Sequence, residues 1–384
     1  MPFFLSAAAW FLGATSIAGT VYQIAATRQL RRFLAQPRVA PALRPSVSIM
    51  KPLCGDEPHL ADNLRSFCSQ DYPDAKIVFG VADANDPALD AVQQATADLP
   101  EDRKTVVVDP RRHGCNLKIG NLLNMSGQAR GDILVIADSD VRVEPDYLDD
   151  VVAPFIDTDV GLVTCLYVGR PVDGVWSRIG AMGLNHGFLP SALVAQALGR
   201  TDGCFGATMA VRRDLLAAIG GFAPLRDTLA DDWALGAAVR SNGRRIALAA
   251  RPVDIIVHEP DLGSLLAHEI RWGRTIAAID RTSYMASVTT QPVALAALAV
   301  ILGGAAWPFL AILAAAIAVR VGTVRSQERA LRLPRAALHW LAVRDMLTFF
   351  VFVVACCGRS VIWRGRRFLI RRDGTLETKE GTQT

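Results

Sequence analysis

From Met1 to Thr27 the chain carries no charged side chain, and this constrains it more than any other feature. About 20 apolar residues cross a bilayer as one helix, so the stretch argues against a purely soluble protein. Arg28, Arg31 and Arg32 follow it. A secretory signal peptide carries its positive charge before the apolar run, so residues 1–27 read as a retained anchor, with everything after Arg28 on the cytoplasmic side. Pro37, Pro41 and Pro45 make residues 28–45 a basic, Pro-rich linker, and the folded domain is expected over 46–285.

A second uncharged stretch runs from Pro292 to Val319. As one straight helix it would measure roughly 42 Å against a hydrocarbon core near 30 Å. Gly303, Gly304 and Pro308 interrupt it, so a hairpin over 290–320 is preferred to a tilted single pass; it also keeps Arg320, Arg325, Arg329, Arg332 and Arg335 cytoplasmic. A further apolar segment, 345–363, either spans or lies at the interface, and a basic tail, 364–384, follows. Residues 183–198, broken by Asn185, His186 and Pro190, suit a helix at the membrane surface and equally a buried core helix. Asn185 and His186 are expected in the acceptor region.

The chain is 51% hydrophobic with a formal net charge of +4. Its basic residues lie beside the apolar stretches, a pattern that fits a membrane surface and not nucleic acid. Seven cysteines, widely spaced and without a C-x-x-C pair, read as reduced thiols facing a cytosol.

After Ser46, short apolar runs (Val47 to Met50, Lys76 to Ala82, Thr105 to Val108, Ile133 to Ala137) alternate with helical patterns. This predicts βαβ units and an α/β fold with a mostly parallel sheet. Ligands on such sheets bind beyond the carboxyl ends of the strands, which directs attention to the polar residues there.

Ile133 to Ala137 ends in Asp138-Ser139-Asp140. Strand alternation sends both carboxylates to one side, a site for a hard cation, Mg2+ or Mn2+, that recruits phosphate oxygens. A solvated turn is the plainer alternative for an isolated D-x-D. Asp83 emerges at the end of another apolar run, suited to a base or ribose, while Asp86 and Pro87 start the next helix. Asp231-Asp232 open an Ala-rich helical stretch, where a carboxylate is either a general base or a response to the helix dipole. Lys118 opens a helix as a point charge suited to a diphosphate, or is merely solvated. Arg271 offers a planar fork to phosphate and Trp272 a shield from water, or the pair is an interfacial anchor. His258 is more readily structural than a metal ligand.

Together, Asp83, Asp138-Ser139-Asp140, Asp232 and His268-Glu269-Ile270-Arg271-Trp272 resemble the D, D, D, (Q/R)xxRW signature of the ceramide glucosyltransferases and their bacterial relatives, glycosyltransferase family 21. Asp83-x-x-Asp86-Pro87, Asn116-Leu117-Lys118 with Asn121-Leu122, Gly161 to Val163, Gly206 to Asp214 and Trp363-Arg364-x-x-Arg367 extend the likeness over most of residues 46–372. The resemblance implies a GT-A nucleotide-sugar-binding domain with N-terminal and C-terminal transmembrane helices. It assigns Asp83 and Lys118 to the donor, Asp138 and Asp140 to the metal diphosphate, Asp232 to the base, and Arg271 and Trp272 to closure of the donor site, with His268 beside them as a further donor-binding residue.

His268 stands where the ceramide enzymes carry Gln or Arg, and this departure looks most like the bacterial glycosyltransferases of hopanoid biosynthesis. The expected function is therefore inverting transfer from a UDP-sugar, N-acetylglucosamine or glucose, to a lipid hydroxyl at the inner membrane of a bacterium. The acceptor is a hopanoid polyol or a ceramide. A processive polysaccharide synthase needs more membrane helices than this chain offers; a non-catalytic sugar-nucleotide- or lipid-binding protein would have lost the base.

Overall fold

The computed structural model describes residues 2–200, 203–358, 360–363, 366–371 and 375–378. Its centre is a seven-stranded sheet built from β1 (Val47–Pro52), β2 (Ala75–Val81), β3 (Lys104–Val108), β4 (Ile133–Ala137), β6 (Val160–Thr164), β8 (Thr208–Arg212) and β9 (Arg245–Leu248). The strand order is β3-β2-β1-β4-β8-β6-β9. All neighbours are parallel except β8, which runs antiparallel to both β4 and β6.

Helices cover both faces, which is why β4 reads as an unbroken apolar run instead of alternating. Ile49, Phe79 and Val135 pack into one core, Met50, Val78, Leu134 and Ile136 into the other. A smaller sheet, β5 (Val141–Arg142), β10 (Val253–Val257) and β7 (Tyr167–Pro171), begins immediately after Asp140. Ile256 N–H donates to Asp140 O at 2.8 Å, so the exit of β4 is held from both sides.

The N-terminal helix runs from Pro2 to Leu34 without a break. It continues past Thr27 through the three arginines, because arginine is a good helix former once the helix has left the apolar layer. The helices Pro292–Leu302 and Trp307–Ala330 pack against it. They turn over Gly303 to Ala306, with Gly304 at φ 64°. The second arm extends ten residues beyond Arg320. Ser16 Oγ donates to Pro292 O at 2.8 Å and Gln327 Nε2 to Thr27 Oγ1 at 2.9 Å, tying the bundle together.

Among the described residues three helices are long and apolar enough to cross a membrane: Phe4–Leu34, Trp307–Ala330 and Leu338–Cys356. The last begins before Met346 and is therefore long enough without reaching Trp363. Pro292–Leu302 is shorter and is bent by 74° from the segment Arg281–Thr290.

Two arginines of these helices are buried ion-pair partners, not free cytoplasmic charges. Arg320 pairs with Asp345 at 2.8 Å, joining the last two membrane helices. Arg344, 3% exposed, makes a two-pronged pair with Glu269, with Nη2 to Oε2 at 2.7 Å. The basic tail is not free either. Ser360–Trp363 (β11), Arg366–Ile370 (β12) and Leu376–Thr378 (β13) form an antiparallel sheet, and Phe368 and Ile370 pack on Leu229. Arg364, Arg372 and residues 379–384 lie outside the described residues, as do the side chains of Trp363 and Arg367.

The stretch 183–198 is two short helices joined by a π-turn, Leu184–Phe188, and Leu189 and Leu193 pack on Leu30 and Phe33 of the N-terminal helix. The polar residues Asn185 and His186 thus sit in a π-turn of a helical stretch whose second half is clasped by the N-terminal helix.

Candidate active site

β4 delivers Asp138 and Asp140 at the carboxyl edge of the sheet. Asp138 N–H donates to Ala207 O at 3.0 Å, fixing the turn against the start of β8. The helix Leu117–Met125 points its first turn at the same place; the Asn116 side chain accepts from Ile119 N–H at 3.2 Å as its cap. Lys118 then reaches Asp138 Oδ1 at 2.6 Å and Asp231 Oδ2 at 3.8 Å. Burial works against its charge, but Asp138, Asp231 and Asp232 outweigh that and raise its pKa.

Asp231 and Asp232 open the helix Asp231–Ser241. The Asp232 carboxylate accepts from Trp233 N–H at 2.7 Å, and a Cβ at Gly206 would lie 3.0 Å from its Oδ2. Gly206 is therefore a close approach that holds Asp232 against the loop before β8. Burial, and then the charge of Asp231, push the Asp232 carboxyl up to about 6. Asp138, Asp140, Asp231 and Asp232 are thus gathered around one lysine.

Three residues that the sequence did not single out complete this floor. Lys51, at the end of β1, is fully buried, donates to Asp138 O and lies 4.0 Å over the Phe67 ring. Burial pulls its pKa down to about 8, against the pull of Asp138 and Asp140. A lone lysine at the end of an apolar strand reads as solvated; only the loop after β4 turns it inward. Glu57 carries a buried, unpartnered carboxylate oxygen. Tyr167 stacks on Phe188 at 4.7 Å; burial chiefly, and then Asp232, Asp140 and Asp138, raise its pKa.

A divalent cation fits this donor set. Asp140 Oδ1 is buried without a hydrogen-bond partner, and burial followed by Asp138 and Glu57 pushes its carboxyl up to about 7. Two carboxylates with an orphaned oxygen and anionic phosphate still to be supplied is what a hard cation completes. Among the described residues no group of three His, Cys, Asp or Glu forms a closed metal cage. His258 is exposed just beyond β10.

The remaining expected residues lie around this centre. Asp83 is exposed at the end of β2, two strands from Asp138 and so about 10 Å across the sheet edge. Its Oδ1 accepts from Asn85 N–H at 2.9 Å. Asp86 instead caps the next helix through Ala88 N–H and holds Gly55, both at 2.9 Å. On the helix Leu262–Ile279, His268 and Trp272 are one turn apart with rings 4.2 Å between centroids. His268 Nδ1 meets the buried Glu259 at 2.8 Å, so this ring is already anchored. Arg271 makes no carboxylate pair among the described residues, and burial lowers its pKa, leaving a guanidinium in need of an anion. The Asn185 side chain bonds both Gly169 N–H at 2.7 Å and Gly169 O at 2.9 Å, a structural pin.

Below the carboxylates lies a cavity of about 750 Å³, between the catalytic domain and the membrane helices. Phe205 and Trp272 line its upper part, His186 and Met182 its flank, and Gln23, Pro292 and Phe352 the membrane side. Phe205 directly precedes Gly206, the residue that packs on Asp232, so the cavity wall and the carboxylate are joined through one short loop.

The mostly parallel sheet, covered by helices on both faces and with two carboxylates at the exit of β4, has the fold of a glycosyltransferase of known structure. A solved mannosyltransferase from Pyrobaculum calidifontis, in complex with GDP-Man and Mn2+, has the same fold at TM-score 0.54 and 22% identity, covering 92% of this chain and 98% of that one. The family model for glycosyl transferase family 21 matches residues 10–376, and the chain belongs to that family. It is similar to ceramide glucosyltransferase 1 of Caenorhabditis elegans, 24% identical over 211 residues, which cover 54% of this chain and 45% of the relative. It is also similar to a ceramide glucosyltransferase of Gibberella zeae, 30% identical over 127 residues, 30% of this chain and 24% of the relative. These alignments span less than half of the relatives' own length.

Proposed function

We propose that this protein is a metal-dependent, inverting glycosyltransferase that moves a sugar from a UDP-sugar to the hydroxyl of a membrane lipid at the cytoplasmic face. The observation that carries the reading is the junction at Gly206: a buried carboxylate with a raised pKa on one side, and an apolar cavity continuous with the membrane helices on the other. A lipid lying in that cavity presents its hydroxyl to Asp232, which takes the proton as the oxygen attacks the anomeric carbon. Asp83 contacts the nucleoside, and Arg271 meets the diphosphate while Trp272 excludes water. Lys118 and Lys51 hold the carboxylate pair in place. A divalent cation held by Asp138 and Asp140 would neutralise the leaving diphosphate as a Lewis acid. The Mn2+ of the mannosyltransferase supports that part of the reading.

The test is a substrate panel. Detergent-purified protein is given UDP-glucose or UDP-N-acetylglucosamine against ceramide and a hopanoid polyol, with Mg2+, Mn2+ or chelator. N-acetylglucosamine transfer to the hopanoid alone makes His268 a specificity candidate; glucose transfer to ceramide places the protein with its named relatives. Donor binding without transfer to either lipid would overturn the proposal.

A further inference from the structure

The cavity is apolar over most of its lining, yet Gln23 Oε1, Gln291 Oε1 and both ring nitrogens of His186 are buried there without a hydrogen-bond partner. Folded proteins pair more than about nine in ten buried polar groups, because a dry unpaired one is costly. Four orphaned atoms on one wall system point to a ligand that pairs them.

Their placement is consistent with one site. Gly19 of the N-terminal helix packs on Thr289 O and Pro292, and Gln23 is one turn further along the same face. Gln23 and Gln291 both line the cavity beside that helix contact. The contacts of Gly13 with Ile312 and Thr27 with Gln327 set the N-terminal and Trp307–Ala330 helices parallel, which brings Gln23 near the level of Arg320. Arg320 Nη1 donates to His186 O at 3.1 Å, so His186 lies in the same slab. Gln23 is about 33 Å along its helix, close to where the apolar layer ends.

His186 sits in the π-turn, an irregularity frequent at functional sites. Its carbonyl is engaged by Arg320 and its neighbour Asn185 by Gly169, leaving only the ring uncommitted. Burial, with Arg320 beside it, pulls its pKa down to about 3, so the ring is neutral and offers one donor and one acceptor.

We propose that Gln23, His186 and Gln291 form a recognition site for hydrogen-bond donors that the acceptor lipid carries behind its reacting hydroxyl. The inference rests on the reading that the acceptor occupies this cavity. Two of the orphaned atoms are amide oxygens, which only accept. A phosphate headgroup brings no donors to them, and Arg320 is already neutralised by Asp345. The lipid class that fits is neutral and donor-bearing, with an amide N–H or further hydroxyls.

The experiment uses the full-length protein in lipid nanodiscs and compares kcat/KM for ceramide, a hopanoid polyol and a long-chain alcohol with a single hydroxyl. The variants are Gln23→Leu, Gln291→Leu and His186→Phe, with His186→Gln as a second variant that keeps polarity. A site built to hydrogen-bond its substrate rejects analogues that lack the group. Each apolar variant is expected to reduce the preference for the better donor-bearing lipid over the plain alcohol by roughly 5–10-fold, with KM for the UDP-sugar unchanged and His186→Gln recovering part of the preference. Unchanged preference in all the variants would overturn the inference while leaving lipid transfer intact. Wild-type protein that glycosylates none of the three lipids would overturn the acceptor reading, and this inference with it.

Discussion

The pH dependence of transfer follows from the position of Asp232. Its carboxyl is held at about 6, above the ordinary 3.8, by burial first and the charge of Asp231 second, while Trp233 N–H and Lys118 act in the opposite direction. A base works only when ionised, so kcat/KM for the lipid rises with pH through ~6 and levels off above ~7. One unit below the midpoint, near pH 5, only about one molecule in ten carries the ionised base, a loss of ~1.4 kcal/mol of apparent transition-state stabilisation. Asp231→Asn removes the larger of the two electrostatic causes that raise the pKa, so its rising limb moves to lower pH. The assay is initial-rate sugar transfer with saturating donor and sub-saturating lipid, for wild type and Asp231→Asn. A flat wild-type profile between about pH 5 and 8, or an unmoved midpoint in the variant, would refute the reasoning.

Three further outcomes are expected. Gly206→Ala puts a methyl group 3.0 Å from Asp232 Oδ2 and displaces the base, so transfer should fall about 10-fold or more with donor KM unchanged, read by steady-state kinetics. Arg344→Leu leaves the partly buried Glu269 unpaired and should cost about 3 kcal/mol, seen as a lower Tm in detergent, with Glu269→Leu in the same chain recovering much of it. Asp140 at about 7 and Asp232 at about 6 mean that the folded, metal-free protein binds more protons than the unfolded chain between the unfolded carboxylate pKa and those values. Stability therefore falls as pH rises from about 4 to 7. Thermal unfolding should show a higher Tm at pH 5 than at pH 8 without metal, and Mn2+ should raise Tm mainly at pH 8.

Much of this arrangement was legible in the chain because its signals are local. Ile133 to Ala137 is buried on both faces and Asp138-Ser139-Asp140 follows it at once, so run and exit could be read together. The Pro292 to Val319 stretch carries its own breakers at Gly303 and Gly304. What escaped depends on distant partners. Lys51 is turned inward only by the loop after β4, about 90 residues on, and Arg344 and Glu269 are 75 residues apart. The antiparallel insertion of β8 has no periodicity that distinguishes it from a parallel strand. The Arg-rich segment reads only as a basic tail until Phe368 and Ile370 find Leu229. Asn185 and His186 look alike as polar breaks in an apolar run, and only the structure separates the pinned amide from the unpaired imidazole.

The most direct test of the central claim pairs two readings on one preparation: transfer of labelled sugar into extracted lipid, and equilibrium binding of the UDP-sugar, for wild type and Asp232→Asn. The account predicts label in lipid for the wild type, and in the variant a loss of about 100-fold or more in product with donor Kd unchanged. Wild-type turnover by Asp232→Asn, or label released as free sugar or polymer and never in lipid, would contradict it.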